Sequence, residues 1–352
     1  MYRVNKKCKN IYFKIFILFY FILFITSCQT NSIDQEELEK ENKKADSISI
    51  KLNSPELKDI NKQLLENPDQ PALYNKRALV YLKIKYINEA INDTKRAIKL
   101  DSTQSNFYLT LVDVYFSQNS TRLAKELLEI IEKKFPENTE ALLKLAELYF
   151  FVQKYQKGIE YVNKALRIDE NLAKAYFLKG SIYRESGDTS KAISSLETAI
   201  EQDNKFEDAF YDLGVIYASR KNPIAFDYYN NVIKLNPTNQ TVKYARAKLL
   251  QDLGKIDEAI SEYKNCLKSD TNCQNCYYNL GAIYLEFKKE NQIAIEFLSK
   301  AIEVNPSYIE AYFARGYAYS LLKQKESAKA DYNMCLKIQP NYELAIQALN
   351  NI

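Results

Sequence analysis

The chain has 352 residues, 49 of them Lys or Arg and 45 Asp or Glu, for a formal charge of +4, and it contains no His. Without imidazole, Ser-His-Asp, Cys-His and His-metal mechanisms are excluded, and the seven glycines form neither a G-x-x-x-x-G-K-[ST] nor a G-x-G-x-x-G phosphate turn. An enzyme is not expected, nor a cofactor, a metal or a small-molecule substrate.

Residues 1–27 carry Lys6, Lys7, Lys9 and Lys14, then an apolar run from Ile15 to Ile25, then Thr26-Ser27-Cys28. This is the pattern of a secretory signal peptide with a lipoprotein-type cleavage box. Thr26 and Ser27 are small enough for a signal peptidase pocket, and the Cys28 thiol is placed for acylation by a bacterial lipoprotein pathway, with palmitate the expected chain. The apolar run is about half the roughly 20 residues of a membrane span. Cleavage removes five bases (Arg3, Lys6, Lys7, Lys9, Lys14) and no acid, which takes the formal charge from +4 to −1. A nearly neutral chain lacks the basic face that nucleic acid requires, so no nucleic-acid partner is expected.

Residues 28–53 are polar and charged, with Asp34-Gln35-Glu36-Glu37 ahead of Lys40, Lys43 and Lys44, and read as a flexible tether. The acids resemble, loosely, the surface-export signals of some Bacteroidetes lipoproteins, although they begin six residues after Cys28. Gln29, where Asp would favour inner-membrane retention in enteric bacteria, leans towards the outer membrane. The expected location is an outer-membrane lipid anchor facing the periplasm, with the cell surface as the alternative. Residues 54–70 predict a capping half-repeat: Ser54 as N-cap, Pro55 in the first turn, and Leu57, Ile60, Leu64 and Leu65 on one apolar side.

From residue 71 to 342 the sequence repeats with a period of about 34 residues. Eight copies begin at Pro71, Ser105, Thr139, Ala173, Glu207, Gln240, Gln274 and Ile309; the fifth is one residue short and the seventh one long. The fourth position is a large apolar residue (Tyr74, Tyr108, Leu142, Tyr176, Phe210, Tyr277, Tyr312), with Lys243 the exception. A small slot follows at Ala78, Val112, Ala146, Gly180, Gly214, Ala247, Gly281 and Gly316. Three residues later stands Tyr in every copy but the sixth, which has Leu250. A second small slot recurs at Ala90, Ala124, Gly158, Ala192, Ala225, Ala259, Ala294 and Ala328, and Pro136, Pro237, Pro306 and Pro340 close their copies. Residues 343–352, with Leu344, Ala345, Ile346, Ala348 and Leu349, predict a C-terminal capping helix.

The aromatic, small, Tyr, small and Pro positions resemble the tetratricopeptide repeat (TPR) family. That resemblance implies an all-α fold, an α-α superhelix or TPR solenoid of about eight helical hairpins with capping helices, whose concave face is lined by the first helix (A) of each hairpin. A lone hairpin of this length cannot bury enough apolar surface to offset its ordering entropy, so each copy depends on its neighbours.

In this family the fifth position of helix A tends to face the groove. Here it reads Asn75, Leu109, Leu143, Phe177, Tyr211, Tyr244, Tyr278 and Phe313, an unbroken aromatic row in the last five copies. Such a row suits an extended or helical peptide, with Arg184, Asp212, Lys248 and Asn279 as its polar neighbours. The Lys-Asn pair with which chaperone-binding relatives clamp a terminal carboxylate is absent, since no copy has Lys at the fifth position. Cys266 and Cys335 share one helix-B slot two repeats apart, on the order of 20 Å, and read as small buried residues rather than metal ligands. Cys273 and Cys276 form a C-x-x-C at a helix start and suggest a disulfide, with Cys266–Cys276 a second possible pair. The expected function is a membrane-anchored scaffold for protein–protein interactions in an envelope assembly or secretion complex. A periplasmic chaperone-like binder of exported polypeptides is the alternative.

Overall fold

The computed structural model describes residues 54–352; Cys28, with the expected signal peptide and tether, lies outside the described residues. Among the described residues there are 18 α-helices and no strand. Helices A and B of the successive copies are Pro71–Lys83 and Ile87–Leu100, Ser105–Ser117 and Thr121–Lys134, Thr139–Phe151 and Tyr155–Ile168, and Ala173–Glu185 and Thr189–Gln202. They continue as Glu207–Ser219 and Ala225–Leu235, Gln240–Asp252 and Ile256–Ser269, Gln274–Ile283 and Asn291–Val304, and Ile309–Leu321 and Lys325–Ile338. Single helices, Pro55–Glu66 and Glu343–Asn350, precede and follow them. The chain divides at Ala141 and Leu142 into two compact units. No helix of the described residues is long and apolar enough to cross a membrane. The fold class is all-α, of the α-α superhelix type.

The small slots work as the spacing predicts. Ala78, Ala90, Ala146, Ala192, Ala247, Ala259, Ala294 and Ala328 are fully buried where helices A and B approach. A Cβ added to Gly214 or Gly316 would run into the ring of Tyr229 or Tyr332, and one added to Gly180 or Gly281 into Leu196 or Leu298. Aromatic and aliphatic side chains from helix B thus fill the space that the missing Cβ leaves.

Helix A ends the same way in every copy. One residue adopts a left-handed conformation (Lys85, Asn119, Gln153, Gly187, Lys221, Gly254, Lys289, Lys323). The next amide donates back to the carbonyl of the conserved-frame Tyr or Leu, as in Tyr86 to Tyr81 and Gln324 to Tyr319 at 2.8 and 2.9 Å. This is the Schellman closure of a helix C-terminus. Its left-handed residue is glycine in only two copies, Gly187 and Gly254.

The irregular copies take up their length change near this turn. In the seventh, the extra residue enters a π-helical turn, Tyr284–Lys288, and the closing bond runs from Glu290 to Tyr284, spanning six residues instead of five. In the fifth, helix B starts late, at Ala225, behind an Asn222 carboxamide that accepts from the Ile224 amide at 3.0 Å.

Helix B stops by a device that the prolines obscure. The residue just past the helix is Asp or Asn in six copies (Asp101, Asp169, Asp203, Asn236, Asp270, Asn305), and its Oδ1 accepts from the amide two residues on, at 2.8 to 3.2 Å. Side chain and backbone together form an Asx turn. Proline follows only Asn236 and Asn305 among these.

The N-terminal helix is capped by Ser54, whose Oγ accepts from the Leu57 amide at 3.3 Å, with Pro55 at its first position. Leu57, Ile60 and Leu64 are buried, but Leu65 is 86% exposed, which corrects the expectation that it shares their side. Leu65 lies about 100° around the helix from Leu64, beyond the edge of the stripe.

Candidate functional site

The fifth-position row lies within the second unit: Phe177, Tyr211, Tyr244, Tyr278 and Phe313 are all half-buried on successive A helices. Each ring is braced by another. Phe177 packs on Phe206 with ring centroids 4.9 Å apart, Tyr278 on Tyr308 at 5.1 Å, and Phe313 on Tyr342 at 5.9 Å. Phe206, Tyr308 and Tyr342 are the residues immediately before the next helix. Where that place is taken by Asn239 or Cys273, the row residue packs instead on a tyrosine of its own helix B, Tyr211 on Tyr229 at 6.3 Å and Tyr244 on Tyr263 at 5.9 Å. The sequence reading missed these bracing aromatics. The signal was an aromatic directly preceding the next helix in three places.

The four polar neighbours are held by internal partners. Arg184 Nη1 meets Asp212 Oδ1 at 2.7 Å, and burial nevertheless raises the Asp212 carboxyl above its ordinary value against the pull of that guanidinium. Lys248 pairs with Asp252 one turn along its own helix. Asn279, 7% exposed, donates from Nδ2 to the Tyr244 hydroxyl at 3.0 Å and so ties two adjacent copies together. Each of the four candidate specificity groups thus already has an internal partner. In the first unit, Asn75 holds the fifth position with a buried Oδ1 that has no hydrogen-bond partner.

Burial shifts several phenols of this region. Tyr211, Tyr278 and Tyr308 are raised above the ordinary tyrosine value, mainly by desolvation, with the Glu310 carboxylate adding to the effect at Tyr278 and Tyr308. These side chains stay neutral at physiological pH and offer ring faces and hydroxyls, not charge.

Cys273 and Cys276 are joined by a disulfide with Cα atoms 5.3 Å apart, and Cys273 caps the helix they open. The Cys266–Cys276 alternative is corrected: Cys266 is a free, buried thiol. Adjacent helical positions three apart already lie within disulfide reach, whereas Cys266 fills a small slot on the preceding helix B. Burial pushes Cys266 up to about 11 and Cys335 up to about 12, so both stay protonated. Among the described residues, no group of three or more His, Cys, Asp or Glu side chains is arranged to hold a metal ion.

Tandem helix pairs, each closed by small residues, define a helical-repeat protein. Tetratricopeptide repeat models match residues 71–104, 109–173, 241–273, 275–308 and 309–349, and a TPR repeat model matches 180–219. The chain belongs to the tetratricopeptide-repeat family. It is 24% identical to BBSome complex member BBS4 of Bos taurus over 55% of this chain and 44% of that one. It is 25% identical to tetratricopeptide repeat protein 6 of Homo sapiens over 80% and 55%. The chain thus spans about half the length of these curated relatives. Among solved structures, the C-terminal part of a TPR repeat-containing protein from Cytophaga hutchinsonii superposes with a TM-score of 0.57 at 21% identity, covering 68% of this chain and 98% of that one. Cut9–Hcn1 of the APC/C superposes with a TM-score of 0.50 at 18% identity, covering 79% and 55%.

Proposed function

We propose that this chain is a lipid-anchored TPR scaffold of the bacterial cell envelope that holds a protein partner along the A-helix face of its last five copies, within an assembly or secretion complex, and that it is not an enzyme. The observation that carries the reading is the row Phe177, Tyr211, Tyr244, Tyr278 and Phe313: five half-exposed rings at one repeat position, each braced from behind. Preorganised aromatics lose little side-chain freedom on binding, which is what a contact surface needs. Membership of a complex also features in the name of the BBSome relative. The anchor rests on Thr26-Ser27-Cys28 and the apolar run before it, with attachment at the outer membrane facing the periplasm.

The test is in-cell photo-cross-linking from positions 244 and 278, followed by mass spectrometry. One dominant envelope protein supports the scaffold; a heterogeneous set of exported chains would point to a chaperone-like binder. Tyr278→Ala should weaken partner binding by about 1–3 kcal/mol with helical content unchanged, and an unchanged affinity would move the site off this face. Palmitate labelling that survives Cys28→Ser would overturn the anchor.

A further inference from the structure

Basic side chains cover many tyrosine rings in this chain. Arg77 lies over Tyr74 and Tyr81, Arg315 over Tyr312 and Tyr319, Lys191 over Tyr183 and Lys264 over Tyr284, at 5.4 to 6.0 Å from the ring centroids. All of these rings stand at the fourth or the Tyr position of helix A. No row ring carries such a cation among the described residues, and neither Tyr308 nor Tyr342 does.

The charges beside the row are asymmetric as well. Three of its cations are paired, Arg184 with Asp212, Lys248 with Asp252 and Lys174 with Glu147, while Lys243 beside Tyr244 makes no ion pair among the described residues. Asp208, Glu286 and Glu310, by contrast, are exposed and make no ion pair among the described residues. Tyr278 packs on Tyr308 at 5.1 Å, Tyr308 immediately precedes the helix whose first turn holds Glu310, and Glu286 lies in the turn that continues the helix of Tyr278, so carboxylates and rings share one region; both carboxylates help to raise the Tyr278 phenol. Tyr244 joins it through its hydroxyl, which accepts from Asn279 Nδ2, next in sequence to Tyr278, at 3.0 Å.

We infer that the segment bound by the last three copies is basic: a Lys- or Arg-bearing stretch of a partner protein whose cations lie over the faces of Tyr244, Tyr278, Tyr308 and Tyr342 and against Glu286 and Glu310. This rests on the proposal that the A-helix face is the binding surface. Ring faces and carboxylates attract the same ligand charge, and the exposed Glu286 and Glu310 outnumber the single lysine, Lys243, left unpaired among the described residues on the A helices of these copies.

The experiment uses the full chain and three dye-labelled extended peptides with identical apolar residues and Lys, Gln or Glu at every other position, read by fluorescence anisotropy. The Lys peptide should bind about tenfold more tightly than the Gln peptide, and the Glu286→Gln/Glu310→Gln double variant should remove about fivefold from the Lys peptide alone. Retained Gln-peptide binding in that variant shows that the fold is intact. Equal affinity for the Lys and Gln peptides, or tighter binding of the Glu peptide, overturns the basic preference, while loss of all binding in Tyr278→Ala would still uphold the face. Lys-peptide binding that is indifferent to Tyr278→Ala overturns the face itself.

Discussion

Gly214 and Gly158 both occupy close helix approaches, yet their surroundings respond differently to an added methyl. At Gly214 the new Cβ would overlap the buried Tyr229 ring, which is wedged between helices. Gly214→Ala should therefore destabilise by about 1–3 kcal/mol despite better helix propensity. At Gly158 the nearest atom is the flexible Cδ1 tip of Ile182 at 3.0 Å, and Ala already fills this slot in the other copies. There Gly158→Ala should be neutral or stabilising by up to about 1 kcal/mol; urea unfolding of the two variants separates them. Asp101 gives a pH-dependent case. The Thr103 hydroxyl and amide hold its carboxyl below the ordinary value. A carboxyl lowered in the folded state contributes stability above its unfolded pKa, and that contribution is lost as pH falls through the folded one. The expected outcome is an Asp101 carboxyl ¹³C midpoint below that of free Asp, with Asp101→Asn, which keeps the accepting oxygen, shedding that residue's share of the acid-side loss.

Between elements, a device recurs that the repeat pattern does not announce. Arg77, Arg246 and Arg315 hold the seventh helix-A position, and each guanidinium reaches 16 residues forward to an acid on its own helix B and 16 back to a polar group on the preceding helix. Arg315 grips Asp331 through two bonds of 2.9 and 2.7 Å and donates to Ser299 at 2.9 Å. Other copies place Leu at this position, as in Leu145 and Leu213, where the matching helix-B position holds Tyr161 and Tyr228. Asp331→Ala should therefore cost about 3 kcal/mol by stranding a half-buried cation, while Arg315→Leu combined with Asp331→Tyr should come close to neutral; thermal unfolding of both checks it. The small slots and the Tyr position were legible in the sequence because close packing imposes them on every copy. The arginine clamps, the bracing aromatics Phe206, Tyr308 and Tyr342, and the Asx turns were not, because each occurs in a subset of copies and reads as scatter around the pattern. Spacing likewise placed Arg184, Asp212, Lys248 and Asn279 on one face, but pairing depends on side-chain reach, which periodicity does not encode.

Across the molecule, the last hairpin depends on the helix after it. Ala345 is fully buried against the cluster that holds Tyr312, Ala328 and Tyr332, with Ala348, Leu349 and Ile352 packed alongside. Deleting residues 343–352 should cost the second unit about 3 kcal/mol from exposed apolar surface, and hydrogen exchange should show the loss concentrated in Ile309–Leu321 and Lys325–Ile338. The short fifth copy and the long seventh carry a different lesson. Their length changes sit near the Schellman turn, one in a late-starting helix B and one in a π-turn, so Tyr211, Tyr244, Tyr278 and Phe313 keep the same place on helix A although their spacings in the sequence are unequal. The turn acts as an expansion joint. A gene coding for such a chain can gain or lose a codon there without shifting the row of rings, so insertions and deletions should accumulate at these joints, leaving the A helices free to vary by substitution alone.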